Sequence, residues 1–236
     1  LKPELFSLTY TSENASLLPA LINTIIITVA ALIIAIPIGV GSAIYLVEYA
    51  SRGNKLVSVI RITAETLSGI PSIIYGLFGF LLFVTTFGWQ YCMLAGILTL
   101  VIMVLPVIMR TTEEALIAVP DSYREGSFGL GAGRLRTVIK IVLPAAVPGI
   151  LSGIILSMGR IVGETAALIF TAGTVPKIPA SLMKSGRTLA VHLYVLWNEG
   201  LGVGPSYATA VVLLVLVLGL NLLSSYIAKK VGSNNG

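Results

Sequence analysis

The stretch from Thr66 to Met109 carries no charged residue, and no other feature constrains the fold of this chain as tightly. As one helix rising about 1.5 Å per residue, it would be roughly twice as long as the 30 Å hydrocarbon core of a bilayer is thick. It must therefore turn back once. The cluster Thr85, Thr86, Phe87, Gly88, Trp89, Gln90 is the natural place, which predicts spans over about 64–86 and 91–112. Three more apolar runs, at 21–47, 145–170 and 206–228, meet the length requirement of about twenty residues. The expected fold is an all-α integral membrane protein: one transmembrane domain over 1–236, a helical bundle with five crossings.

Composition agrees with lipid as the main solvent. Charged residues are 11% of the chain, against about 25% in a soluble domain, and the mean hydropathy is +0.97. A net charge of +5 raises the question of nucleic acid, but the basic residues are scattered among loops between apolar runs and form no phosphate-tracking stripe. Cys92 is the one cysteine, so no intrachain disulfide forms, and with His192 the one histidine no metal-ligand spacing exists. Both read as packing residues, with contact to an external protein as the alternative for His192. The first apolar run is too long for the core of a signal peptide.

Basic residues set the expected orientation. With residues 48–63 inside, that side holds Arg52, Lys55, Arg61, Arg110, Arg124, Arg134, Arg136, Lys140, Lys229 and Lys230. Lys2, Lys177, Lys184 and Arg187 lie outside, so the split is ten against four, with Arg160 inside a span. The amino terminus is then external, the carboxyl terminus cytoplasmic, and 171–205 an external segment. The external opening segment, 1–18, suggests a further span upstream of it. Proline and glycine recur within the spans, among them Pro37, Gly69, Pro71, Gly76, Pro106 and Pro148. Helix packing accounts for them, and kinks that line a path are the alternative.

Between the third and fourth spans, the cytoplasmic loop 113–144 has internal order. Ser122 and Glu125 have the spacing of a capping box at a helix start, and Gly129, Gly131 and Gly133 stop that helix after about two turns. A second piece, Arg134 to Leu143, is amphipathic and expected to end at Pro144. So short a helix needs something to dock against.

The loop resembles the cytoplasmic EAA loop of ABC importer permeases. Glu125, Gly126 and Ser127 are followed after three residues by Gly131, and after nine more by Ile141, Val142, Leu143 and Pro144. The spacing fits throughout, with Gly126 and Ser127 in place of two alanines. Over the whole chain the resemblance is strongest to phosphate permeases of the PstA type, through runs such as 43–50, 68–76, 163–168 and 185–194. It implies the type I permease fold with six spans, the first of them missing here. It implies a pair of ATPase subunits docked on Ser122, Glu125, Gly126, Ser127, Gly131, Ile141, Leu143 and Pro144. It also implies a second, homologous permease, an external phosphate-binding protein, phosphate as cargo, and a bacterial or archaeal cell membrane. ATP and Mg would sit on the ATPase subunits. This chain is expected to bind no cofactor, because its glycine run leads into Arg134 and Leu135, where a phosphate-binding loop needs Lys and Ser or Thr.

Arg160 and Glu164 lie inside the expected fourth span. A charge there costs roughly 2.5–3.5 kcal/mol, so both must face protein or water. Spaced four apart on one helix they would meet. A structural ion pair and a substrate pathway are the two readings, and the resemblance favours the pathway because a guanidinium fork suits tetrahedral oxyanions. Beyond phosphate, a sulfate or molybdate permease is the alternative cargo reading. A stand-alone secondary transporter is the alternative class.

Overall fold

The computed structural model describes residues 3–11, 14–51, 53–200 and 203–233, apart from the side chains of 3, 4, 224 and 227–233. Lys2 and Arg52 lie outside the described residues, as do the side chains of Lys229 and Lys230. The regular structure among the described residues is helical, a 3-10 turn at Pro3–Phe6 followed by α1 (Leu18–Tyr49), α2 (Lys55–Ser68), α3 (Ser72–Thr86), α4 (Met93–Ile117), α5 (Asp121–Gly129), α6 (Arg134–Val162), α7 (Ala166–Thr171), α8 (Leu189–Asn198) and α9 (Val203–Ser233).

Four described helices are long and apolar enough to cross a membrane, namely α1, α4, α6 and the Val203–Leu223 part of α9. A fifth crossing exists only if α2 and α3, bent by 104°, are taken together. The second span is thus not the single helix expected over 64–86. Gly69 caps α2, its amide bonding back to Thr66 and Leu67, and Pro71 has no amide to continue the ladder. Extended backbone at Pro71 then launches α3 in a new direction. The turn after α3 falls where the sequence puts it, with positive φ at Gly88 and Gln90.

The fourth span is also displaced. It begins at Arg134 and runs without interruption to Val162, so Pro144 does not end a separate helix. A π turn over Val138–Val142 comes just before the proline, and the Leu143 amide reaches Val138 O five residues back. This widened turn accommodates the ring and the missing donor that would break a regular helix. The helix stops instead at Gly163–Thr165, well before residue 170.

Two compact units make up the chain. One holds Leu1–Ile34, Ile70–Met103 and Met158–Gly219. Within it α3 lies against α7 with little room between backbones: a β-carbon added at Gly76 would sit 2.8 Å from Ala167 Cα. Gly76 is needed for that approach, which supports the packing reading of the small residues. The other unit holds Ala35–Gly69, Val104–Ser157 and Leu220–Gly236. Its core joins the end of α1 to α2, α4 and α6 through Ala43, Leu46, Val57, Met109, Leu116, Val119, Val142 and Ile150.

Candidate functional site

The loop with the EAA-like spacing folds as a hairpin of α5 and the start of α6, inside the second unit. Pro120 occupies the position before α5 and can donate no amide to α4, so the chain breaks there and restarts at Asp121. Ser122 therefore lies inside the helix, and no side chain caps its start. The expected capping box does not form, because the helix begins one residue too early for it. Gly131, with φ of 81°, makes the reversal, and Ser127 and Thr137 hydrogen-bond across the hairpin at 2.8 Å.

Arg124 ties the hairpin to the membrane helices by hydrogen bonds. Arg124 donates to Glu48 Oε1 from Nη2 at 2.7 Å and from Nε at 3.1 Å. It also donates from Nη2 to Leu116 O at 2.9 Å and from Nη1 to Val119 O at 2.8 Å, with Asp121 at 3.2 Å. Those carbonyls lie at the end of α4, where unpaired acceptors and the negative helix terminus favour a cation. Side-chain exposure is only 14% for Arg124 and 8% for Glu48, so the pair is shielded from bulk water. Sequence reasoning counted Arg124 only as a loop cation and gave Glu48 no role. The available signal was Glu48 itself, the first charge after a long apolar run and in need of a partner.

Around this anchor the hairpin presents an exposed apolar surface: Tyr123, Phe128, Leu130, Leu135 and Ile139 all lie open, Leu130 at 91%. A cleft of about 640 Å³ is lined by Ser122, Gly126, Ser127, Gly131 and Ile141 together with Arg136. Glu125 is exposed beside it and makes no ion pair among the described residues. Leu143 and Pro144 lie apart from the cleft in α6, with Leu143 packed against the core of the unit.

Arg160 and Glu164 belong to the other unit, and no ion pair within 4 Å joins them. A spacing of four brings two side chains together only on a continuous helix, and α6 ends at Val162, before Glu164. Glu164 is 7% exposed and accepts a hydrogen bond from the Ala167 amide at 3.0 Å, so it serves the first turn of α7. Arg160 is half-buried. His192 is fully buried, which fits a packing residue and excludes direct contact with an external protein.

The profile of the family described as binding-protein-dependent transport system inner membrane component matches residues 35–233. Among individual relatives, the probable ABC transporter permease protein YqgI of Bacillus subtilis is 38% identical, over 91% of this chain and 79% of its own. The phosphate transport system permease protein PstA of Mycobacterium leprae is 37% identical, over 86% of this chain and 67% of its own. Among solved structures, the inward-facing MetNI methionine ABC transporter has a chain that superposes with a TM-score of 0.71 at 22% identity, covering 90% of this chain and 93% of that one. A bacterial ABC transporter for import of the acidic polysaccharide alginate gives 0.68 at 15% identity, covering 94% and 80%. These two likenesses concern the fold.

Proposed function

We propose that this chain, which belongs to the family of binding-protein-dependent transport system inner membrane components, carries inorganic phosphate across the cell membrane. It is a membrane permease subunit of an ABC-type importer, a transport component rather than an enzyme. Phosphate as cargo is supported by the identity of 35–37% to several relatives named as phosphate transport permeases. In this reading an external phosphate-binding protein delivers the anion to a pathway shared with a second, homologous permease. Two ATPase subunits, holding ATP and Mg, drive release inward. The amino terminus of this chain lies outside and the carboxyl terminus inside.

Coupling runs through the α5–α6 hairpin. Tyr123, Phe128 and Leu130 enter a groove of the ATPase, and the Arg124–Glu48 pair transmits its movement to α1 and α4. The observation that carries this assignment is the combination of an exposed apolar tip with a buried, hydrogen-bonded root. An exposed apolar patch of this kind marks a protein contact. Arg160 supplies a cation to the anion pathway, and Glu164 acts there by shaping the start of α7.

The test is ATPase activity of the reconstituted complex with its binding protein. Phosphate is expected to stimulate hydrolysis and sulfate is not. Equal stimulation by both, each with its own binding protein, would remove phosphate as the defining cargo and leave the permease assignment intact.

A further inference from the structure

Arg187 lies just before α8 and is only 3% exposed. Its Nε and Nη2 are both shut off from solvent, and neither has a hydrogen-bond partner among the described residues. These two atoms form one edge of the guanidinium, the edge that binds two oxygens of a carboxylate or phosphate side by side. Arg187 makes no ion pair among the described residues. The ring of Tyr10 covers one face, 4.5 Å from the guanidinium carbon, and leaves the edge unused.

Its neighbours do not supply the missing charge. His192 meets Tyr10 edge-on at 6.0 Å, and neither of its buried ring nitrogens closes a full hydrogen bond. Burial and the nearby Arg187 charge push its pKa down to about 3, against a smaller opposing effect of the Ala15 backbone, so the imidazole is neutral. Asn23 of α1 fixes the backbone by donating to Arg187 O at 3.1 Å and Lys177 O at 3.0 Å, while its Oδ1 is unpartnered. All of these residues belong to one unit. Buried polar atoms are nearly always paired, and a buried cation without a counter-charge is the costliest exception.

We propose that the Nε/Nη2 edge of Arg187, enclosed by Tyr10 and His192, is a binding site for a small tetrahedral oxyanion of the phosphate class. The fork supplies two parallel donors and the net positive charge, and neutral His192 offers an N–H as a third donor. A free anion fits better than a carboxylate projecting from a docked protein, because both nitrogens are shut off from solvent and out of reach of a side chain on another chain. Tyr10, stacked on the guanidinium face, holds the group in place beside that edge. The site lies away from Arg160 in the sequence and requires no ATPase, so it stands or falls independently of the coupling assignment.

The probe is labelled inorganic phosphate, with the full chain in phosphatidylcholine nanodiscs. One phosphate bound through Arg187 is expected per chain. Arg187→Gln is expected to abolish that binding, and Arg187→Lys to weaken it at least about tenfold because an ammonium has no fork. Tyr10→Ala keeps the fork and removes the ring stacked on its face, so it is expected to speed release of bound phosphate. Glu13→Gln asks whether an acid of the same amino-terminal segment already fills the edge. Unchanged binding in that variant is expected, and binding that appears only there overturns the proposal. So does absence of binding to the unaltered chain, binding to Arg187→Gln equal to the original, or an unchanged release rate in Tyr10→Ala.

Discussion

Arg124 and Arg187 are both removed from water, and they are treated in opposite ways. The Nε/Nη2 edge of Arg124 closes on Glu48, and its remaining donors reach two carbonyls and Asp121. The same edge of Arg187 has no hydrogen-bond partner among the described residues. Both arginines sit where the chain changes direction beside a helix start, so local backbone does not explain the contrast. What differs is the origin of the counter-charge. Around Arg124 it is encoded in the chain, which makes the contact a permanent joint. Around Arg187 it must come from elsewhere, which makes an exchangeable partner reasonable.

The largest effect expected from this contrast is at the joint. Arg124→Met leaves Glu48 as an uncompensated buried carboxylate, and breaking such a pair costs about 3–5 kcal/mol. Thermal unfolding in detergent should show the loss, and Glu48→Gln added to Arg124→Met should recover part of it by removing the stranded charge. If Arg124→Met alone melts with the original protein, the joint does not hold the hairpin. At the orphan, the same substitution should act in reverse. Arg187→Met in phosphate-free buffer removes unpaired buried donors worth roughly 1–3 kcal/mol, so stability should rise. A fall of similar size would mean that the guanidinium already has a partner, and the comparison would collapse.

His192 sharpens the comparison through pH. Its folded pKa, about 3, lies below the ordinary histidine value, so the unfolded chain binds the extra proton first as pH falls. Its contribution to stability is complete above about pH 6.5 and declines by about 1.4 kcal/mol per pH unit below it, levelling off only near pH 3. Comparing His192→Phe with the original chain between pH 7 and 5 isolates this slope, and parallel profiles would show that the imidazole is not held neutral.

Much of this architecture is legible in the sequence because lipid imposes simple rules. The uncharged runs gave α1, α4 and the apolar part of α9, and the position of Gly88 beside polar residues gave the turn after α3. The misreadings share a cause. Periodicity and hydropathy see neither the break at Gly69–Pro71, nor the π turn that carries α6 past Pro144, nor its end at Gly163. Each depends on where one backbone amide finds an acceptor. For the same reason the spacing of Arg160 and Glu164 suggested a pair that the end of α6 separates. Glu48 and Arg124 lie far apart in sequence, and only the folded chain brings the acid at the end of α1 to the hairpin.

The smallest effect on stability is expected at Glu125, and there the size itself is informative. Glu125 is exposed, takes part in no capping box and makes no ion pair among the described residues, so replacing it disturbs nothing within the chain. Surface changes of this kind usually stay within about 0.5 kcal/mol. Glu125→Lys should therefore melt like the original while placing the wrong charge on the surface beside Tyr123 and Phe128. If that surface docks on the ATPase, co-purification of the ATPase or substrate-stimulated hydrolysis must fall although stability does not. Arg124→Met should lose both together, because its damage begins inside the chain. A Glu125→Lys complex that assembles and hydrolyses ATP normally would show that the EAA-like spacing of this loop does not make Glu125 a contact, and would shift the docking surface toward the apolar tip around Leu130.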